Sequence, residues 1–81
     1  MHHVYIIKSI NFSYEIYIGY SANLKSRLEK HNAGDSVYTK SYRPWKLIFY
    51  CSFTDKLKAL DFEKYLKSHS GRAFLRKRFL S

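Results

Sequence analysis

Hydrophobic positions change their period several times along the chain, and each change predicts an element. "HHVYIIKSI" (residues 2–10) is β-branched and aromatic with little polar interruption, the pattern of a strand buried on both faces. "NFS" (Asn11–Ser13) then offers a hairpin connection. In "YEIYIGYS" (residues 14–21) the period is two. Tyr14, Ile16, Ile18 and Tyr20 share one face, and Glu15, Tyr17 and Gly19 share the other. Gly19, near the strand end, predicts a bulge or a close approach by another backbone or a ligand.

Helical spacing begins after Ser21, an expected N-cap, and runs through "ANLKSRLEKHN" to a stop at Gly34. Leu24 and Leu28 form the apolar stripe of this helix. Arg27 and His31, also four apart, lie along its edge and can reach over the same patch of sheet. Residues 33–44, "AGDSVYTKSYRP", form a polar loop that displays Tyr38 and Tyr42. "WKLIFYCSF" (residues 45–53) predicts a third strand with Trp45, Leu47, Phe49, Cys51 and Phe53 on one side. Thr54 is the expected cap of the next helix, and Ser70 or Gly71 restarts a last basic helix, "RAFLRKRFL". The order is β-β-α-β-α-α. This predicts a single α+β domain over residues 1–81, with helices packed on a three-stranded antiparallel sheet.

One helix breaks its own pattern. In "DKLKALDFEKYLKS" (residues 55–68), Ala59 and Leu66 fall about 40° and 60° to one side of Glu63, and Leu60 about 60° to the other. A carboxylate thus sits among residues that should face the core, where an unpaired charge costs several kcal/mol or more.

Composition adds two constraints. With 46% hydrophobic and 19% aromatic residues the chain can build a compact core, helped by the large area each ring buries. No apolar run approaches the roughly 18 residues of a membrane span, and no signal-peptide pattern is present. The lone Cys51 excludes an intramolecular disulfide and reads as a small core residue, so a cytoplasmic protein is expected. The charge is more informative. The net value is +9, and it is lopsided: four Lys/Arg face three Asp/Glu up to residue 35, and eleven face three thereafter. This points to a polyanion partner, nucleic acid ahead of an anionic membrane, with a merely basic surface as the plain alternative.

Common catalytic constellations are missing. There is no Gly-rich phosphate loop, one cysteine makes a zinc cluster a poor fit, and no nucleophile-elbow motif supports a serine triad. What remains is tyrosines on two paired strands, the Arg27–His31 edge and Glu63. These groups suit phosphodiester hydrolysis. A water must lose a proton to tyrosine or histidine, an arginine fork matches phosphate oxygens, and a carboxylate can hold a divalent metal that neutralises developing charge. Each has a plainer explanation. Glu63 can pair with Lys67 one turn on, Arg27 can lay its stem over the core edge, and His31 can interact with the helix dipole. Tyr5 and Tyr17 can be ordinary strand residues, and the last helix a solvated face.

The combination resembles the GIY-YIG nuclease superfamily, in its small stand-alone bacterial form. "HVY" at His3–Tyr5, "YIG" at Tyr17–Gly19 and "SANLKSRLEKHNAG" at Ser21–Gly34 carry the likeness. It continues through "YRPWKLIFY" and "DFEKYLKSHSGRAFLRKRF" over nearly the whole chain. The resemblance implies metal-dependent phosphodiester cleavage with Tyr5, Tyr17, Arg27, His31 and Glu63 as the catalytic set. Glu63 would be the ligand of a divalent metal, Mg2+ with Mn2+ as substitute. Products with 5′-phosphate and 3′-hydroxyl ends are implied as well. Two departures stand out. His3 and Val4 replace the glycine and isoleucine of the first motif, and no asparagine follows Asn32, where several family members carry a late one; Ser70 or Arg72 is expected in that neighbourhood.

The basic second half supplies the expected phosphate contacts, namely Lys40, Arg43, Lys46, Arg72, Arg76, Lys77 and Arg78, with Tyr38 and Tyr42 free to stack on a base. The substrate expected is nucleic acid, DNA first, cut with little sequence specificity and with a role in repair or recombination. The alternative is a non-catalytic or partner-dependent nucleic-acid-binding module on the same fold. Oligomeric state stays open.

Overall fold

A computed structural model describes residues 1–80. Three strands, β1 (His2–Ser9), β2 (Ile16–Ser21) and β3 (Trp45–Phe53), form one antiparallel sheet in the order β2-β1-β3. Helices α1 (Leu24–Ala33), α2 (Lys56–Lys67) and α3 (His69–Leu75) complete the expected β-β-α-β-α-α order. A short 3₁₀ turn (Lys40–Tyr42) precedes β3, and a wide final helical turn (Arg76–Leu80) follows α3. No helix among the described residues is long and apolar enough to cross a membrane.

The doubly apolar β1 takes the centre of the sheet, because Val4, Tyr5, Ile6 and Ile7 must all be covered and are at most 1% exposed. Its alternate residues feed two cores. Val4 and Ile6 pack with Ile18, Ala59, Leu66 and Leu75 under α2 and α3. Tyr5 and Ile7 pack with Trp45, Leu24 and Leu28 under α1. The sheet therefore has one face for α1 and the other for α2 and α3.

Several local expectations are corrected. β3 does not keep one apolar side. Ile6 pairs with Phe49 but Ile7 with Leu47, so Ile48 is an extra residue that flips the alternation. Trp45 and Leu47 face α1, whereas Phe49, Cys51 and Phe53 face α2 and α3. The β1–β2 connection is longer than Asn11–Ser13, and Tyr14 lies in it, 78% exposed, instead of joining the isoleucine face. Ser9 holds this connection, accepting from the Phe12 N–H at 3.1 Å and donating to the Tyr42 carbonyl at 2.6 Å.

The helix caps also shift by one to three residues. Asn23, not Ser21, caps α1 by accepting the Ser26 N–H; Ser21 stays in β2 and bonds both backbone groups of Asn23. Asp55 replaces Thr54 at α2, and Ser68 starts α3 by accepting the Gly71 N–H, ahead of Ser70 or Gly71. In each case the side-chain oxygen that reaches the second or third free N–H wins. Gly34 ends α1 as expected, in the left-handed region at φ 85°.

Candidate active site

Tyr5 lies directly opposite Gly19 in the β1–β2 register. A Cβ on Gly19 would collide with the Tyr5 hydroxyl and ring, so the glycine lets the phenol lie flat across the neighbouring strand. The close approach expected at Gly19 is thus made by a side chain. Tyr17, two residues earlier on β2 and on the same face, sets its ring 6.4 Å from that of Tyr5 and 5.0 Å from that of His31. Strand alternation and one missing Cβ are enough to bring both phenols under α1.

His31 is 2% exposed, and both its nitrogens are engaged. Nε2 meets the Tyr5 hydroxyl at 2.8 Å and Nδ1 meets Oγ1 of Thr39 at 2.8 Å. Burial, followed by the positive charge of Arg27, lowers its pKa, so the ring is neutral near pH 7. This replaces the helix-dipole explanation, which needs a charged imidazolium. Arg27 is exposed on α1, with its guanidinium near enough to act on the Tyr5 oxygen. Both neutral tautomers of His31 satisfy these two bonds; in the one whose Nε2 accepts the phenol's proton, Nδ1–H is given to Thr39. Burial pushes the Tyr5 phenol up to about 12, and the neighbouring Tyr17 adds to this; Arg27 opposes the rise without cancelling it. Positive charge near Tyr5 therefore does not make it a standing phenolate.

Glu63 lies on α2, on the other side of the sheet, yet it is not a free surface acid. It is 19% exposed, between the fully buried Ala59 and Leu66, and its charge is felt at Tyr5, where it opposes deprotonation. Its oxygen also meets the Lys67 ammonium at 3.2 Å, so the expected i,i+4 pair is present too. Among the described residues no three His, Cys, Asp or Glu cluster as a metal cage. One carboxylate does suit Mg2+, which keeps most of its water and commonly takes one or two carboxylates plus substrate phosphates. The donor set fits a loosely held ion completed by substrate, and not a closed structural site.

Tyr17, Arg27, Lys30, His31, Asp35 and Ser36 line a hollow of about 270 Å³ in front of the buried Tyr5–His31 pair. Tyr17 also walls a second hollow, beside Lys67 and Arg72. Arg72, not the exposed Ser70, therefore reaches the neighbourhood where a late polar residue was expected. Of the other expected phosphate contacts, Arg76 lines a hollow with Arg72. Arg43 lies against Gly34 at the end of α1, Lys40 is exposed on the 3₁₀ turn, and Lys46 pairs with Lys8 across β1 and β3. Lys77 and Arg78 are exposed on the final turn. Tyr38 is 81% exposed, whereas Tyr42 meets Phe12 edge-on at 5.3 Å and packs on the core under α1.

Thr39 was not legible in the sequence. It lies in the polar 33–44 loop but is 1% exposed. Its carbonyl accepts the Trp45 indole N–H at 2.8 Å, while the Asn32 amide clamps the Trp45 backbone at 2.6 and 3.2 Å. The one available signal was Trp45, whose indole N–H needs a partner once buried. Lys30 was equally unmarked, and Lys67 was marked only as a partner for Glu63, because solvated lysines are common on helices.

Comparisons with known proteins place the chain in a family. The model of the GIY-YIG catalytic domain matches residues 1–78. The UPF0213 protein SH2523 of Staphylococcus haemolyticus is 37% identical over 76 residues, 93% of this chain and 90% of that protein. The UPF0213 protein SA0446 of Staphylococcus aureus strain N315 matches to the same extent. The solution NMR structure of the UPF0213 protein BH0048 from Bacillus halodurans superposes with a TM-score of 0.56 at 26% identity, covering 99% of this chain and 86% of that one. The chain belongs to the GIY-YIG catalytic-domain family.

Proposed function

We propose that the protein is a metal-dependent endonuclease that hydrolyses phosphodiester bonds in nucleic acid, DNA first, with little sequence specificity. Family membership supports a nuclease-type function. The observation that carries the finer reading is the Tyr5–His31–Thr39 hydrogen-bond chain behind a hollow edged by Arg27 and Lys30. At a pKa of about 12, roughly one Tyr5 in 10⁵ is ionised at neutral pH, so a free phenolate is a poor base. The neutral His31 removes that difficulty. Tyr5 takes a proton from the attacking water while passing its own to His31 Nε2, and the hydrogen on Nδ1 stays there, donated to Thr39 Oγ1. Arg27 braces the phosphate with a planar fork of donors. Glu63 would hold a divalent cation, Mg2+ or Mn2+, which supplies neutralisation of charge on the phosphate and leaving oxygen.

The test is cleavage of labelled duplex, nicked, branched and single-stranded substrates with Mg2+ or Mn2+, comparing the wild type with Glu63→Ala. Metal-dependent cutting that disappears in a folded Glu63→Ala protein supports the reading. Equal cutting by both points to a contaminant. Preference for nicked or branched DNA would place the activity in repair or recombination. One observation favours a second reading. The Lys67 ammonium already satisfies Glu63, as it would in a non-catalytic nucleic-acid-binding module. Titration with Mg2+ separates the two, since such a module has no reason to bring the ion to Glu63.

A further inference from the structure

β2 is an edge strand, and an uncovered edge is ordinarily blunted by charge or by a covering element. Along it run four adjoining hollows. The site hollow and the next one share Tyr17. The second and third share Ile16 and Arg72, and the third and fourth share Tyr14, Ile16 and Arg76. The fourth, about 390 Å³, ends at Lys8 beside the β1–β2 connection. Arg27, Lys30, Lys67, Arg72, Arg76 and Lys8 mark the route in order. The one acid lining these hollows is Asp35, at the active-site end.

We infer that this trough along β2 is the path of the substrate strand on one side of the scissile phosphate, with the chain's path fixed by phosphate contacts and not by base contacts. The inference rests on the proposed nuclease reading and adds a direction to it. Three residues of β2, Ile16, Tyr17 and Ile18, line the hollows and cover about 10 Å at 3.3 Å each. That length spans about three phosphates of one strand at duplex spacing, 3.4 Å apart, and the fourth hollow carries the route on past the strand to Ser13 and Lys8. Cations recur at every step, as a phosphate row requires, while Ile16, Leu75 and Leu80 supply no hydrogen-bonding groups from their side chains to read a base edge. Tyr14, 78% exposed, stands at the far end and can cap the route by stacking on a base.

The experiment is fluorescence anisotropy with a labelled oligonucleotide, without divalent metal, across a salt series. It compares the wild type with Arg76→Ala, Lys8→Ala and the control Lys56→Ala; Lys56 opens α2 after the opposite edge strand β3. Each lost phosphate contact lowers the slope of log K against log salt by about 0.7 to 0.9. Arg76→Ala and Lys8→Ala should each show that loss, with Lys56→Ala at the wild-type slope and all four chains melting cooperatively. Wild-type binding with no slope change in either trough variant, or an equal change in Lys56→Ala, overturns the path. So does a wild type that does not bind. The nuclease reading fails separately: trough variants with the expected slopes and no cleavage under any metal would leave the path standing and the chemistry refuted.

Discussion

The two faces of the sheet are built on different principles. Under α2 and α3, Val4, Ile6, Ile18, Ala59, Leu66 and Leu75 make an apolar core with no polar partner to satisfy. Under α1, the equally buried Tyr5, His31 and Thr39 are joined by two hydrogen bonds of 2.8 Å. Buried apolar area is tolerant and additive, whereas a buried polar chain holds only if every member is paired. The first face stabilises the fold, and the second holds the proposed proton route at the cost of that tolerance. Tyr17 and Glu63 link the two, one at the β2 edge and one from α2.

Substitutions should separate the faces. Leu66→Ala should have the largest effect on stability, about 2 to 5 kcal/mol by denaturant unfolding, because a fully buried side chain leaves a cavity. Its folded fraction should still carry the tautomer of His31 found in the wild type, read by ¹⁵N shifts of the ring. Gly19→Ala acts on the other face. Its methyl must displace the Tyr5 ring, and a misplacement of about 1 Å can cost 10²-fold in rate. Single-turnover cleavage should fall by about that factor, with a smaller stability loss than Leu66→Ala.

Thr39 sharpens the contrast further. Thr39→Val keeps the shape but removes the acceptor from Nδ1–H, which costs about 1 to 3 kcal/mol if the group stays buried and unpaired. The His31 tautomer populations should then change and cleavage should drop about tenfold, while Thr39→Ser restores both.

Much of this was legible in the sequence, for physical reasons. Period-two alternation placed Tyr17 opposite the isoleucines, and a spacing of four put Arg27 and His31 on one helix edge. The wheel position of Glu63 announced a partly covered acid, which its 19% exposure bears out. Three features left no periodic trace. The bulge at Ile48 is one extra residue in an apolar run, where phase cannot be read. The caps depend on which oxygen reaches which N–H. The role of Thr39 depends on how the 33–44 loop closes over α1, a long-range event fixed by Trp45 and Asn32.

The smallest effects should appear in the pH dependence of stability. His31 has a folded pKa below the ordinary 6.5, so below that value the unfolded chain binds a proton that the folded protein refuses. Its contribution is complete above about pH 6.5 and is lost as the pH falls. Tyr5 behaves oppositely. Between pH 10 and about 12 the folded protein keeps a proton the unfolded chain has shed, so stability declines as the pH rises through that window. Urea unfolding across pH 5–11 checks both signs, and His31→Asn should flatten the acid limb alone.

The most direct measurement is single-turnover cleavage by Tyr5→Phe beside its unfolding free energy. Removing one oxygen keeps the ring over Gly19 and takes from His31 Nε2 its phenol partner. Cleavage should fall by at least 10², the usual scale of a lost acid–base group, while stability changes by no more than about 1 to 3 kcal/mol. Wild-type cleavage rates from a folded Tyr5→Phe protein would contradict the proton route and the division of labour between the two faces.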